Sequence, residues 1–326
     1  MAKDLPQRVA VALISNALDQ YLIASRIPPG HTEALWEFPG GKIEPGETTA
    51  QALQRELCEE LGVYPLVQDP LLSVVQDAVC LEVHCVRAID RPPQPCEGQQ
   101  LRWVDRQQLP RYRFWPANQI ILQTLLARPR PLPLYYLITP EPGADWAGFL
   151  QHLQQRLSHG DIGMVRLRST AQTPLSLTQV AEFVRCCQHQ QVQALLSDDV
   201  PLAQRSGADG VHFSQQHLLQ GLPVRQMAQQ SLCYGASVHD AHSLSVAASL
   251  PLDFLTLSPL APTASHPDTP TLGWDAFCKL AQHSPIPIYA LGGLDMADLP
   301  TALNHRACGI AAIRALWQMP LHAASR

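Results

Sequence analysis

Stretches of short apolar period alternate with stretches of helical period along the chain. Arg8 to Ile14 and Tyr21 to Ser25 are strand-like, separated by a turn at Asn16 to Asp19. Leu71 to Val79, Leu81 to Ala88 and Leu101 to Val104 are further β-rich runs. Among them lies a helical segment in which Ala50, Leu53, Leu57 and Leu61 fall on one stripe, predicting a helix with that face against a sheet. Thr48 and Gln51 have the spacing of a capping box, and Gly62 supplies the C-terminal stop. A second helix is predicted over Asn118 to Ala127. Together these predict a mixed α/β domain with its strands sandwiched between helices.

Farther on the rhythm becomes regular. Strand-like runs recur at Leu134 to Thr139, Met164 to Leu167, Ala194 to Ser197, Gly210 to Phe213, Leu232 to Ala236, Phe254 to Ser258, Ile286 to Leu291 and Gly309 to Ile313. Helix-length segments such as Leu175 to His189 and Asp275 to Gln282 separate most of them. Alternation of this kind predicts a (β/α)8 TIM barrel, whose active site would lie where the strands end. The division falls at Arg128-Pro129-Arg130-Pro131-Leu132-Pro133, where alternating prolines resist helix and sheet. The expected domains are 1–128 and 134–326, with 129–133 as a proline-rich linker.

Composition narrows the function. A net charge of -5 and an isoelectric point near 6.2 argue against a nucleic-acid-binding surface, which needs basic patches. The nine cysteines form no C-x-x-C pair and read as reduced thiols. No secretory apolar core and no membrane-length apolar run is present, so the expected location is the cytoplasm.

The chemistry concentrates around the first predicted helix. Glu56, Glu59 and Glu60 share one helical face, where like charges at this spacing cost roughly 0.2–0.5 kcal/mol per pair. Such a face is either a solvated acidic surface or a hard-cation site, since Mg²⁺ takes carboxylates together with substrate phosphates. Gly40 and Gly41 would let the backbone approach metal and phosphates, and Pro45-Gly46 turns the chain into the helix. Gly41, Glu47, Arg55-Glu56-Leu57, Glu59-Glu60 and Gly62-Val63 fill every slot of the Nudix box, so this half resembles the Nudix hydrolases. The resemblance implies an α/β/α sandwich with a mixed sheet, and hydrolysis of a nucleoside diphosphate linked to another moiety, with Mg²⁺ or Mn²⁺ held by Glu56, Glu59, Glu60 and the Gly40 carbonyl. Glu47 would assist through a second metal or brace the loop, while Arg55 would orient the glutamates.

Residues 26 to 63 further resemble the MutT-type 8-oxo-dGTP diphosphatases, through Arg26, His31 and Glu37-Phe38-Pro39-Gly40-Gly41-Lys42-Ile43-Glu44. Glu97-Gly98-Gln99 with Trp103, and Pro116-Ala117-Asn118, match two further segments of that subgroup. The resemblance implies that Asn118 reads an oxidised purine, its amide offering donor and acceptor together. It also implies that Phe38 packs on the base, that Arg26 holds the base or sugar side, and that His31 contacts the nucleotide. Glu97 would be a metal ligand or a base, and either Glu56 or Glu97 would deprotonate the attacking water. On the residues alone, Asn118 after Pro116-Ala117 at a helix start reads first as a helix N-cap.

The second half resembles thiamine-phosphate synthase through Leu134-Tyr135-Tyr136-Leu137-Ile138-Thr139, Gly207-Ala208-Asp209-Gly210-Val211-His212, Gln215, Pro259, Pro262-Thr263, Leu272-Gly273 and Gly292-Gly293. Several charged positions depart from that family. Arg168-Ser169-Thr170 stands for its arginine-glutamate-lysine, Ser197-Asp198 for asparagine-aspartate, His217 for a metal-binding aspartate, His266 for a lysine and Arg314 for a phosphate-loop serine. Those changes imply a degenerate synthase. Asp198, His212, Gln215, Gly292, Gly293 and Arg314 remain the expected ligand positions, for a thiamine-related phosphate. Three readings follow: an 8-oxo-dGTP diphosphatase with a barrel appendage, a thiamine-biosynthetic transferase with a Nudix half, or a Nudix hydrolase of another nucleotide regulated by a ligand-sensing barrel.

Overall fold

The computed structural model describes residues 6–26, 34–76, 79–127, 131–169, 174–227, 232–262 and 270–318. Two compact units, 1–131 and 132–326, make up the chain.

The first unit contains β1 (Gln7–Ile14), β2 (Gln20–Arg26), β3 (Leu35–Glu37), β4 (Gly40–Lys42), α1 (Thr49–Leu61), β5 (Pro65–Gln76), β6 (Val79–Ile89), β7 (Leu101–Asp105) and α2 (Gln119–Ala127). A four-stranded sheet runs β4-β1-β6-β5, with β1 and β6 parallel and the outer pairs antiparallel. A second, antiparallel sheet runs β3-β2-β7. Alternation along β1 decides the layers: Ala10, Ala12 and Ile14 pack against α1, whereas Val11 and Leu13 join the core containing Ile121, Leu122 and Leu125 of α2. The alanines let α1 lie close to the sheet.

The capping box at Thr48 and Gln51 forms as expected, and Gly62 ends α1 at φ 66°. The buried stripe is Ala52, Leu53, Leu57 and Leu61; Ala52 takes the place expected of Ala50. The carbonyls at the end of α1 are met by an incoming loop. Gln94 N–H donates to Leu61 (2.9 Å), while Cys96 N–H (3.0 Å) and the Gln99 amide (2.8 Å) both donate to Glu60. That anchoring brings Glu97 to the end of the acidic helix.

The second unit carries β8 (Tyr135–Ile138), α3 (Trp146–Leu157), β9 (Met164–Arg166), α4 (Leu177–His189), β10 (Gln193–Ser197), α5 (Val200–Ser206), β11 (Gly210–Phe213), α6 (Gln215–Gln220), α7 (Val224–Met227), β12 (Cys233–Val238), α8 (Ala241–Ala247), β13 (Phe254–Leu257), α9 (Gly273–Ala281), β14 (Ile288–Leu291), α10 (Leu299–Asn304), β15 (Gly309–Ala312) and α11 (Arg314–Trp317). The eight strands close into a parallel barrel, β15 pairing with β8. Tyr136, Phe254 and Tyr289 fill its interior with Met164, Leu195 and Ala311. Of the proline-rich stretch, 131–133 is described: Leu132 packs against this interior and the Pro133 carbonyl accepts from Tyr289 (2.6 Å). None of the nine cysteines is joined in a disulfide. Among the described residues no helix is long and apolar enough to cross a membrane.

Candidate active site

Glycine is required where β4 enters the site. Gly40 sits at φ +141°, and a Cβ there would overlap the Ala10 carbonyl of β1. On Gly41 a Cβ would overlap the Glu56 carboxylate, so this glycine makes room for an acid from α1. Arg55 then staples loop to helix. Its guanidinium donates twice to Glu47 (both 2.9 Å), to Glu56 (2.7 Å) and to the Lys42 carbonyl (2.9 Å), and Glu59 lies 3.6 Å away. Bonds from Arg55 and from the Glu44 N–H hold the Glu47 carboxyl down at about 2. Hydrogen bonds to Glu47 and Glu56 in turn raise Arg55.

Glu60 points the other way, accepting from the Gly40 N–H (3.2 Å). Burial pushes its carboxyl up to about 7 against that hydrogen bond, and the charges of Glu37, Glu97 and Glu56 add to the shift. Glu37, Glu97 and Glu56 thus lie near enough for their charges to act on Glu60, and carboxylate oxygen is the donor a hard divalent cation takes. Among the described residues, however, no three acidic, imidazole or thiol groups converge closely enough to hold a cation in this conformation. The reason is visible: Arg55 draws Glu56 aside, Glu60 is turned to the backbone, and the Glu59 side chain is 58% exposed. Gly41→Ala is expected to displace only the flexible end of Glu56, lowering kcat by about 100-fold while the melting temperature stays nearly constant. Steady-state kinetics beside a thermal melt checks this, and a kcat within threefold of the parent would contradict it.

The residues expected on the base side divide. Asn118 closes a 3-10 turn, Pro116–Asn118, ahead of α2. It does not cap that helix; its Oδ1 accepts from the Phe38 N–H (3.2 Å), which leaves its Nδ2 without a partner among the described residues. The Phe38 ring, expected on the base, is 3% exposed and stacks on Phe114 at 5.2 Å inside the core. Pro39 is buried, its carbonyl accepting from Ala12 (2.8 Å). Glu37 lies 3.9 Å from Arg26, whose side chain is 71% exposed; burial raises the Glu37 carboxyl, with Arg26 opposing and Glu97 reinforcing. Glu97 is exposed. His31 lies outside the described residues, as do Thr170, Thr263 and His266.

In the second unit a cavity of about 920 Å³ opens at the strand ends. Gly292, Gly293 and Arg314 line it as expected, the glycines at φ 108° and 71°. Asp198, Gln215 and His212 do not. His212 is wholly buried, held between the Tyr136 hydroxyl (3.1 Å) and the Ser237 hydroxyl (2.9 Å), and burial drives its imidazole toward the neutral form. Gln215 donates to Asp240 (3.3 Å). Arg166, His239 and Asp295, absent from the sequence reading, also line the cavity, as does Arg168, which entered it only within the Arg168-Ser169-Thr170 segment and not as a ligand position. Arg166 ends β9, a position that such barrels turn toward their sites, and this was the available signal.

A family model for the NUDIX domain matches residues 5–125, and one for thiamine monophosphate synthase matches 135–316. The chain is 34% identical over 122 residues to an 8-oxo-dGTP diphosphatase of Escherichia coli, covering 36% of this chain and 95% of that protein. It is 30% identical over 183 residues to a putative thiamine-phosphate synthase 2 of Aquifex aeolicus, covering 56% of this chain and 96% of that one. A thiamine-phosphate synthase of Thermosynechococcus vestitus is 27% identical over 211 residues, or 63% of this chain, which spans only 58% of that relative's length.

Proposed function

Because the chain belongs to the NUDIX family in its first half and to the thiamine monophosphate synthase family in its second, we propose that its first half hydrolyses 8-oxo-dGTP to 8-oxo-dGMP and pyrophosphate. The observation carrying this is a short bridge. The Phe38 N–H fixes Asn118, and two residues on the Gly40 N–H fixes Glu60. Two residues of extended chain span about 7 Å, the scale separating a nucleotide's base from its phosphates. One segment therefore sets the reader of the base against the acids that serve the phosphates.

With Oδ1 turned to Phe38, the Asn118 amide presents Nδ2 to a ring carbonyl. The second lone pair of Oδ1 accepts the ring N–H that oxidation places where an ordinary guanine carries a lone pair. Glu56, Glu59, Glu60 and Glu97, with the Gly40 carbonyl, would hold Mg²⁺ or Mn²⁺. Such an ion offsets triphosphate charge and eases ionisation of water. Glu56 or Glu97 takes the proton from that water, and Arg55 keeps Glu56 oriented. Asn118→Ala is expected to lower the ratio of kcat/KM for 8-oxo-dGTP over dGTP by about 100-fold, as loss of paired hydrogen bonds to a base does. Kinetics on both nucleotides tests it; a wild-type enzyme with no preference would sink the substrate assignment.

For the second half, the cavity supports a phosphate-bearing ligand rather than a retained synthase reaction. Arg168 is engaged with Glu141 at 3.6 Å, and no lysine lines the cavity among the described residues.

A further inference from the structure

The family to which the barrel belongs would place a divalent cation beside Asp198, and the residues here do not fit one. The Asp198 Oδ1 accepts from the Ser214 N–H (2.7 Å) and lies 3.2 Å from the His217 Nδ1. His217 stands where the family has an aspartate, and its Nδ1 also meets the Ser214 hydroxyl at 2.9 Å. An imidazole and a backbone N–H thus both meet one oxygen, Oδ1, of the carboxylate that would face a cation. Asp198 itself sits at φ +57°, which aims it at this loop. Hard cations of the Mg²⁺ class take oxygen ligands and several waters, and replacing an acid with an imidazole removes both charge and preferred donor.

The positive charge lies elsewhere. Arg166 from the end of β9, Arg168 just beyond it and Arg314 at the start of α11 all line the cavity, with His239 at its wall. The Arg166 Nε donates to the Ser197 hydroxyl (2.9 Å), which orients the guanidinium and commits neither terminal nitrogen. Arg314 has no side-chain partner among the described residues. Asp295 is the one carboxylate among the lining residues, and its Oδ1 accepts from the Ala297 N–H (2.8 Å). Arg168 also lies 3.6 Å from Glu141, and the charge of Asp198 reaches Arg166; the terminal nitrogens of Arg166 and the whole of Arg314 remain for an anion, and guanidinium forks match phosphate oxygens two at a time.

We infer that this cavity binds a phosphate or diphosphate group through Arg166, Arg168 and Arg314 directly, without a divalent cation at Asp198. The inference rests on the reading of the barrel as a holder of a phosphate-bearing ligand and adds how the charge is balanced. It separates the halves chemically: the first half needs a divalent ion for turnover, while the second takes its anion in the presence of chelator.

Isothermal titration of the full chain with inorganic pyrophosphate, and separately with orthophosphate, in excess EDTA tests this. Saturable one-to-one binding of at least one anion is expected, weakened about 10-fold or more in Arg314→Ala and in Arg168→Ala, each checked for folding by circular dichroism. Tighter pyrophosphate binding would mark a diphosphate site, and equal binding a single-phosphate site. Replacing EDTA with Mg²⁺ in Glu60→Gln protein, where the hydrolytic site is disabled, is expected not to tighten binding. Binding that appears only with Mg²⁺ and is lost in Asp198→Asn would overturn the inference while leaving the ligand-holding reading intact. No saturable heat in either condition would overturn both, and heat unchanged in the two arginine variants would place the anion elsewhere and overturn the inference.

Discussion

Glu60→Gln should leave a folded protein that has lost hydrolysis by on the order of 1,000-fold in kcat, the scale of removing one electrostatic partner from a phosphoryl-transfer site. The amide keeps the shape of the side chain, and its oxygen can still accept from the Gly40 N–H. What disappears is a half-buried carboxyl whose charged form burial and Glu37, Glu97 and Glu56 already disfavour. Removing that crowding favours the fold, so the melting temperature should hold or rise slightly. Turnover measured in saturating Mg²⁺ checks the first part and calorimetry the second. Activity within tenfold of the parent would mean that the acids of α1 do not serve the phosphates.

The second large effect concerns stability. Arg156 of α3 has no exposed side-chain surface, donates to Asp161 through both terminal nitrogens (2.6 and 2.9 Å) and gives its Nε to the Leu316 carbonyl in α11 (2.6 Å). Arg156→Met preserves the packing of the stem and strands both acceptors. Breaking a buried pair by removing one partner costs about 3–5 kcal/mol, and the lower end applies because Asp161 retains contact with water. Over a unit of this size that corresponds to a fall of roughly 10 °C in melting temperature. Urea or thermal unfolding of the full chain reads it directly. A loss below 1 kcal/mol would show that the guanidinium is dispensable between α3 and α11.

Much of the architecture was legible because it depends on period. All eight barrel strands were located from apolar runs, each within a few residues of its observed limits, since a strand inside a barrel is buried on both faces and reads as continuous apolar chain. The acidic helix was legible for a different reason: capping box, stripe and glycine stop agree with one another. Short elements were not. Both β3 and β4 are three residues long, and β4 begins with two glycines, so neither carries a periodic signal. The Phe38 ring looked available to a base because nothing local shows that Phe114 comes back to cover it. Arg166 went unread since it ends an otherwise apolar strand, and His212 was misplaced because a motif says nothing about which end of the barrel axis a side chain reaches.

The chain crosses between two sheets at Phe38 and Pro39. Leu35–Glu37 pairs in the β3-β2-β7 sheet, beside the segment that carries Asn118, whereas Gly40–Lys42 pairs with β1 in the other sheet, against the helix that carries the acids. On the proposed reading, base selection and bond cleavage sit on separate frames joined by a dipeptide. If Asn118 reads the base as proposed, drift in its turn would retune which base is accepted without disturbing the arginine-stapled loop, a division that would let one scaffold diversify its clientele while its cutting edge stays unchanged.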